Sequence, residues 1–177
     1  VVDFGAQYAQ LIARRVREAG VYSELIPHDA PLERIKGDCL SAVILTGGPD
    51  SAYASGAKAC DNRVFELGVP VLGICYGMQY IAKVFGGEIA SAPIREYGHT
   101  KIAFSDHPLF KGMGDVVWMN HNDSVVRAPE GFTAIARTEA CPVAGFADEK
   151  RRLYGIQFPA EVTHTVNGQK LFKNLLR

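Results

Sequence analysis

Short apolar runs alternate with segments of helical periodicity along the first half of the chain. Four runs predict strands: VVDF, VYSELIP, SAVILTGGPDS and VPVLGIC. The last of them is the uninterrupted apolar stretch typical of a parallel strand that is buried on both faces. Three segments predict helices: residues 6–20, residues 57–68 and YGMQYIAKVFGG. This alternation indicates an α/β fold with a parallel sheet.

Past residue 88 the pattern changes to short strands that follow one another with turns between them. These strands are TKIAF, VVWMN, FTAIART, VAGFAD and RLYGIQF, and a last helix is predicted over residues 165–176. The predicted fold class is therefore α/β, with a mostly parallel central sheet, helices on both faces in a flavodoxin-like arrangement, and an antiparallel strand extension.

Composition narrows the possible partners. The 177 residues suit one domain, and 47% hydrophobic residues can supply a sizeable core. Nineteen basic and nineteen acidic residues cancel, and no basic run indicates a nucleic-acid partner. No apolar run approaches the roughly 18 residues of a membrane span, and no secretion signal is present, so a cytoplasmic protein is expected.

The four cysteines form no C-x-x-C pair, so no metal knuckle is predicted. A free cysteine usually packs as a small hydrophobic residue. That is the prediction for three of them: Cys39, Cys60 and Cys141. Cys75 differs because glycines flank it at a predicted strand-to-helix junction.

Cys75 lies in the sequence GICYG, residues 73–77, which is the cysteine version of a nucleophile elbow. A sharp turn there lifts the side chain clear of the sheet, and it needs the small neighbours that Gly73 and Gly77 provide. The N-terminus of the following helix favours a thiolate. The amide of Tyr76 can face a developing oxyanion. Cys75 is therefore the predicted nucleophile.

A glycine pair, Gly47 and Gly48, follows the third predicted strand in ILTGGPDS. Ligands bind at the carboxyl edge of a parallel sheet, and glycines allow close approach of the backbone. The pair could complete an oxyanion hole, although Gly-Gly-Pro is also an ordinary turn.

Three segments, TGGP, GICYGMQ and QFPAEVTHT, resemble in chain order the signatures of class I (triad-type) glutamine amidotransferases. The resemblance covers nearly the whole chain. Two further segments, DFGAQYAQLIARRVRE and REYG, together with EVTHT, are similar to the amidotransferase domain of GMP synthetase.

The resemblance implies a reaction and a set of site residues. Cys75 would attack the side-chain amide of glutamine, form a glutamyl thioester and release ammonia, and Glu161 would orient a catalytic histidine. Amides of Gly48 and Tyr76 would form the oxyanion hole. The residues expected to bind the substrate glutamine are Gly47, Gly48, Tyr76, Gln79, Asn120, His121, Asn122 and Asp123.

The resemblance also implies a partner. The ammonia would pass to an ATP-pyrophosphatase synthetase domain or subunit that aminates adenylated xanthosine monophosphate. Residues 1–177 are thus expected to be a single amidotransferase domain, the N-terminal part of a longer synthetase chain that could form a homodimer through its remaining part. No cofactor or metal is expected in this domain, since ATP and Mg²⁺ belong to the synthetase domain.

Two departures from the family pattern bear on activity. Members usually carry His-Pro before the motif glutamate, whereas this chain has Pro159 and Ala160 before Glu161. The pocket segment usually reads His-Gly-Asp, whereas here Asn122 replaces the glycine. Proline has no titratable group and no N–H donor, so no residue between Phe158 and Glu161 can serve as the base.

Losing a triad base commonly lowers turnover by about 10⁴- to 10⁶-fold. Strongly impaired glutaminase activity is therefore predicted, whether the change is engineered or natural. Three replacements stay open as bases: His164, His121 or a water held by Glu161. Two other functions also stay open. One is a silent module that docks a partner or senses glutamine, and the other is an amidotransferase of anthranilate or carbamoyl phosphate synthesis.

Overall fold

The computed structural model describes residues 1–92 and 94–177 of the chain. Its ten strands are β1 (Val2–Asp3), β2 (Ile26–Pro27), β3 (Val43–Leu45), β4 (Val71–Ile74), β5 (Glu88–Lys101), β6 (Ala103–Phe104), β7 (Val116–Arg127), β8 (Thr133–Arg137), β9 (Gly145–Asp148) and β10 (Leu153–Ile156). Its α-helices are α1 (Ala9–Glu18), α2 (Leu32–Ile35), α3 (Tyr76–Val84) and α4 (Gln169–Leu175).

An eight-stranded sheet in the order β2-β1-β3-β4-β10-β9-β8-β6 forms the centre of the fold. Neighbours from β2 to β10 pair in parallel, and β9, β8 and β6 continue the sheet in antiparallel fashion. The predicted α/β class with a mostly parallel sheet and an antiparallel extension is confirmed. The extension joins the parallel part at β10, the strand that leads to the loop of Glu161.

Strand β3 shows how the sheet carries a core on each face. Ile44 packs with α1 and α4 side chains on one face, whereas Val43 and Leu45 pack with those of α2 and α3 on the other. Side chains alternate between the faces of a strand, so a fully apolar strand is what two covered faces require. The continuous apolar pattern therefore predicted the burial of the central strands correctly.

Several predicted elements are shorter than expected. Within VYSELIP only Ile26–Pro27 pairs as a strand, at the sheet edge where a proline without an N–H can be accommodated. The helix predicted over 57–68 is a 3₁₀ helix at Asn62–Glu66, which Asp61 caps by accepting from the Arg63 amide. The short helix α2 was not predicted.

A separate antiparallel ribbon of β5 and β7 was predicted only in part. TKIAF covers β6 but only the end of β5, because the segment before it lacks regular apolar alternation. The pairing contains register shifts between Glu88 and Ile89 and between Ser91 and Glu96. His99, expected in a loop, lies in β5. This ribbon places the segment around Asn120 beside the main sheet.

The three cysteines that were predicted to pack as hydrophobic residues differ in their exposure. Cys141 is fully buried and Cys60 is partly buried, but Cys39 is exposed, so the prediction of burial was wrong for Cys39. The longest α-helix has ten residues, and no helix in the described part of the chain could cross a membrane.

Candidate active site

Cys75 occupies the turn between β4 and α3 with φ 51° and ψ −109°. A non-glycine residue in this region is strained, as the elbow prediction required. A Cβ atom at Gly73 would lie 2.5 Å from the Gly77 carbonyl, and one at Gly77 would overlap the carbonyl of Leu45. The glycines are needed because the helix start lies directly against the strands. The predicted strand-to-helix position of Cys75 is confirmed.

A cavity of about 600 Å³ opens over Cys75 at the carboxyl ends of the parallel strands. Five segments line it: residues 5–8 and Leu11, residues 47–49, Ile74 and Cys75, Trp118 and Asn120, and Pro159 with residues 161–164. Ligands bind at this edge in open α/β sheets, and the volume suits a small molecule. The cavity therefore brings Cys75, Gly47, Gly48, Asn120 and Glu161 together, as the sequence predicted.

The Cys75 thiol has no basic partner in the described part of the chain. Its Sγ donates to the Gln157 carbonyl oxygen over 3.0 Å. Burial raises the pKa of this thiol well above its usual value, and the charge of Glu161 raises it further. A carbonyl oxygen also repels a thiolate, so these surroundings favour the neutral thiol and not the thiolate expected from the helix N-terminus.

Glu161 is a buried carboxyl beside this thiol, with 6% of its surface exposed. Burial raises its pKa to about 7, an effect partly offset by backbone amides of Glu161 and Ala160 and by the charge of Arg15. Its Oε2 is buried without a hydrogen-bond partner in the described structure. A triad carboxylate would normally accept a hydrogen bond from an imidazole. The unpaired Oε2 is thus consistent with a missing histidine.

Side chains outside the predicted site hold the Glu161 loop. Arg15 Nε donates to the Glu161 carbonyl over 3.1 Å. Thr165 Oγ1 donates to the Pro159 carbonyl over 2.7 Å and accepts from the Trp118 amide over 3.0 Å. Sequence patterns gave no signal for the Arg15–Glu161 and Thr165–Trp118 contacts, because these partners are distant along the chain.

Two backbone amides stay available for an anion. Among the described residues, neither the Gly48 nor the Tyr76 amide donates to a protein acceptor. A Cβ atom at Gly48 would lie 2.5 Å from the Phe4 carbonyl oxygen, so only glycine fits this close approach. An oxyanion hole requires backbone amides that are free of protein acceptors.

Several predicted glutamine-binding residues lie outside the described cavity lining. Gln79 is buried, and its Nε2 donates to the Asp123 carbonyl over 3.0 Å and to Gln157 Oε1 over 3.2 Å. Asn122 Oδ1 accepts from the Tyr97 hydroxyl over 2.6 Å. Tyr76 and Asp123, two other predicted glutamine-binding residues, are also absent from the described lining. The Asp123 carboxylate accepts a hydrogen bond from the Tyr53 hydroxyl. In this conformation Gln79 connects α3 to β7 and to Gln157, the residue that follows β10.

The two histidines considered as replacement bases occupy different places. His121 was expected in the glutamine pocket, but it is absent from the described cavity wall. Its ring is buried against Glu96 and the Asp123 carbonyl. Side chains on β7 alternate, so Trp118 and Asn120 face the cavity while His121 points away. His164 lines the cavity and packs against Trp118 with ring centroids 4.5 Å apart.

Comparison with known proteins identifies relatives of this chain. The model of the family "Glutamine amidotransferase class-I" matches residues 1–177. GMP synthases (glutamine-hydrolysing) from Caldanaerobacter subterraneus subsp. tengcongensis and Clostridium perfringens are 48% and 50% identical, over 99% of this chain and 35% of each relative. The chain thus spans about a third of the length of these relatives.

A solved structure gives the same result for the fold. The crystal structure of a candidate GMP synthase subunit from Thermoplasma acidophilum superposes with a TM-score of 0.86 at 32% identity. The match covers 99% of this chain and 89% of that chain. The similarity therefore extends over the elbow, the cavity and the Glu161 loop.

Proposed function

Because the chain belongs to the class I glutamine amidotransferase family, we propose that it is the amidotransferase part of a GMP synthase, with a glutaminase triad that lacks its histidine. One observation carries the proposal. The strained Cys75 elbow opens into a cavity that Gly48 and Glu161 also line, so nucleophile, oxyanion donor and triad carboxylate converge. The resemblance to GMP synthases along 99% of the chain favours this pathway over anthranilate or carbamoyl phosphate synthesis.

The reaction begins when the Cys75 sulfur attacks the side-chain carbonyl carbon of glutamine. Amides of Gly48 and Tyr76 stabilise the negative oxygen of the tetrahedral intermediate. The carbon–nitrogen bond then breaks, the thiol proton leaves with the nitrogen as ammonia, and a glutamyl thioester remains. Water hydrolyses the thioester to glutamate and restores the thiol.

The proton transfer is the weak step in this chain. The attacking thiol must lose a proton and the departing nitrogen must gain one, a task the family histidine would perform. Pro159 and Ala160 cannot do it, and the thiol donates instead to the Gln157 carbonyl. The oxyanion hole and substrate contacts move no proton, so turnover falls more than binding does.

The deciding experiment restores the missing base. Glutamate release by the full chain is compared with that of the Pro159→His, Ala160→Pro double variant. We expect turnover to rise about 10⁴-fold or more, while the Kd for glutamine changes little. Ala160→Pro alone is the matched control and should restore nothing. Cys75→Ala in the restored background should abolish the reaction.

A result against this assignment is equally clear. If the unchanged chain hydrolyses glutamine as fast as the double variant, another group is already the base. His164 is then the first residue to replace, because it lines the same cavity. A His164→Gln variant that loses this activity would establish the substitution.

The consumer of the ammonia is a second part of the proposal. A synthetase domain or subunit that activates xanthosine monophosphate with ATP would complete the protein, since the chain spans a third of its relatives' length. An assembled synthetase carrying this sequence should form GMP from ammonium but far more slowly from glutamine. Equal rates from both nitrogen sources would contradict the impaired triad.

A second candidate function is a module that binds glutamine or docks the partner without hydrolysis. The neutral thiol and the unpaired Glu161 Oε2 favour it. A glutamine-like electrophile distinguishes a working pocket from an inert one. It should label Cys75 faster than Cys39, even though Cys39 is the more exposed thiol. Faster labelling of Cys39 would favour the docking module.

A further inference from the structure

A second group of chemically active side chains lies where the β5–β7 ribbon meets the antiparallel end of the main sheet. Glu96 on β5 and His121 on β7 are direct cross-strand partners. Cys141 comes from the turn between β8 and β9. One possible ligand atom from each of the three residues lies within 4.8 Å of the others. The group is separate from the cavity over Cys75.

The hydrogen bond of His121 determines which ring nitrogen faces the group. His121 Nδ1 lies 3.0 Å from the Asp123 carbonyl oxygen, which can only accept, so Nδ1 carries a hydrogen. In the neutral ring Nε2 is then a lone pair, and it lies 3.4 Å from Glu96 Oε1. Two acceptor atoms therefore face each other, an arrangement that a metal ion bound between them would stabilise.

Thr138 fixes the other two members of the group. Its hydroxyl lies 2.8 Å and 3.0 Å from the two oxygens of Glu96 and donates to this carboxylate. The hydroxyl oxygen of Thr138 also accepts a hydrogen bond from the Cys141 amide over 3.0 Å. Metal-ligating carboxylates and imidazoles are typically held by such outer hydrogen bonds. The ligands are thus oriented before any ion arrives.

Burial makes a shared cation favourable here. Cys141 is fully buried, and the side chains of His121 and Glu96 are only 4% and 9% exposed. A divalent cation bound here would compensate the charge of the buried carboxylate and of a thiolate together.

We propose that Glu96, His121 and Cys141 form a binding site for a divalent cation of the zinc class. One sulfur, one nitrogen and one oxygen donor suit this borderline-soft ion, at bond lengths of about 2.0–2.3 Å. Such bonds place tetrahedral ligand atoms roughly 3.3–3.8 Å apart, so the observed separations need only a small closure. The fourth position would go to water.

The site would fasten the ribbon to the main sheet. Strand β7 presents His121 to the metal and the neighbouring Asn120 to the cavity. Metal binding should therefore stabilise the fold and order the cavity wall without touching the catalytic thiol. Sequence patterns missed the site because its ligands come from three separate segments without a C-x-x-C pair.

The test uses the full chain after chelation, titrated with Co²⁺ as a spectroscopic probe and with Zn²⁺ in competition. We expect one equivalent of Co²⁺ to give a sulfur-to-metal charge-transfer band, which Zn²⁺ removes, and Zn²⁺ to raise the Tm. Cys141→Ser should abolish the band, and Cys75→Ser, the matched control, should keep it. Thr138→Ala should weaken Co²⁺ binding by about 10- to 100-fold, as loss of an outer hydrogen bond does.

Four results would overturn the proposal. One is the absence of a stoichiometric band in the folded chain, and another is its loss in Cys75→Ser, which would place the metal on the catalytic thiol. The third is a band that survives in Cys141→Ser. If Cys141→Ser fails to fold, Glu96→Gln replaces it, because the amide keeps an acceptor for Thr138 but removes the charge. Unchanged Co²⁺ affinity in Glu96→Gln would also refute the site.

Discussion

The buried carboxyl of Glu161 predicts how the stability of this protein depends on pH. Its pKa is raised from 4.5 to about 7 in the folded state, chiefly because burial disfavours the charged form. The native state therefore binds this proton more tightly than the unfolded chain does. The contribution of the Glu161 carboxyl to stability is fully present below pH 4.5 and is lost as the pH rises through about 7.

The size of the effect follows from the shift. A difference of about 2.5 pKa units corresponds to roughly 3 kcal/mol of unfolding free energy, at 1.36 kcal/mol per unit. Solvent screening reduces this value little, since only 6% of Glu161 is exposed. The loss is large beside a typical stability of about 5–15 kcal/mol.

Glu161→Gln is the perturbation that isolates this carboxyl. Urea unfolding of both proteins across this pH range gives two curves of unfolding free energy against pH. The difference between the curves removes the contributions of other titrating groups. We expect the unfolding free energy of the variant, relative to that of the unchanged chain, to increase by about 3 kcal/mol as the pH rises from below 4.5 to above 7.

Glu18→Gln is the matched control, because Glu18 is an exposed carboxyl beside the same Arg15. Hydrogen bonds from Arg15 and Arg14 lower the pKa of Glu18, so Glu18 makes stability depend on pH only below pH 4.5. This control should not alter the slope between pH 4.5 and 7. Parallel curves for the unchanged chain and Glu161→Gln would refute a buried carboxyl of raised pKa.

Two further predictions concern the framework of the site. Gly77→Ala should destabilise the fold by about 1–3 kcal/mol or more in urea unfolding, because its Cβ would overlap a neighbouring strand, whereas Gly37→Ala, in open space, should cost little. Thr165→Val should lower stability by about 1–3 kcal/mol, because it removes the hydroxyl that bridges the Pro159 loop to β7, whereas exposed Thr163→Val should not. Equal losses in a variant and its control would contradict either prediction.

The sequence by itself determined the features that depend on neighbours along the chain. The alternation of apolar runs and helical segments predicted the α/β class, because periodicity reflects which faces are covered. The strained turn at Cys75 was predictable because only glycines at 73 and 77 permit strands and helix to approach so closely. The absence of a histidine between Phe158 and Glu161 is likewise a property of the sequence.

Only the tertiary structure decided which side chains share a cavity and which ionise. Asn120 and His121 are adjacent in sequence, yet the pairing register of β7 sends one to the cavity and the other to Glu96. Arg15 lies 146 residues from the Glu161 carbonyl that it binds. Burial and long-range contacts arise when distant segments pack together, so periodicity along the chain does not encode them. The same reason explains the raised pKa of Glu161.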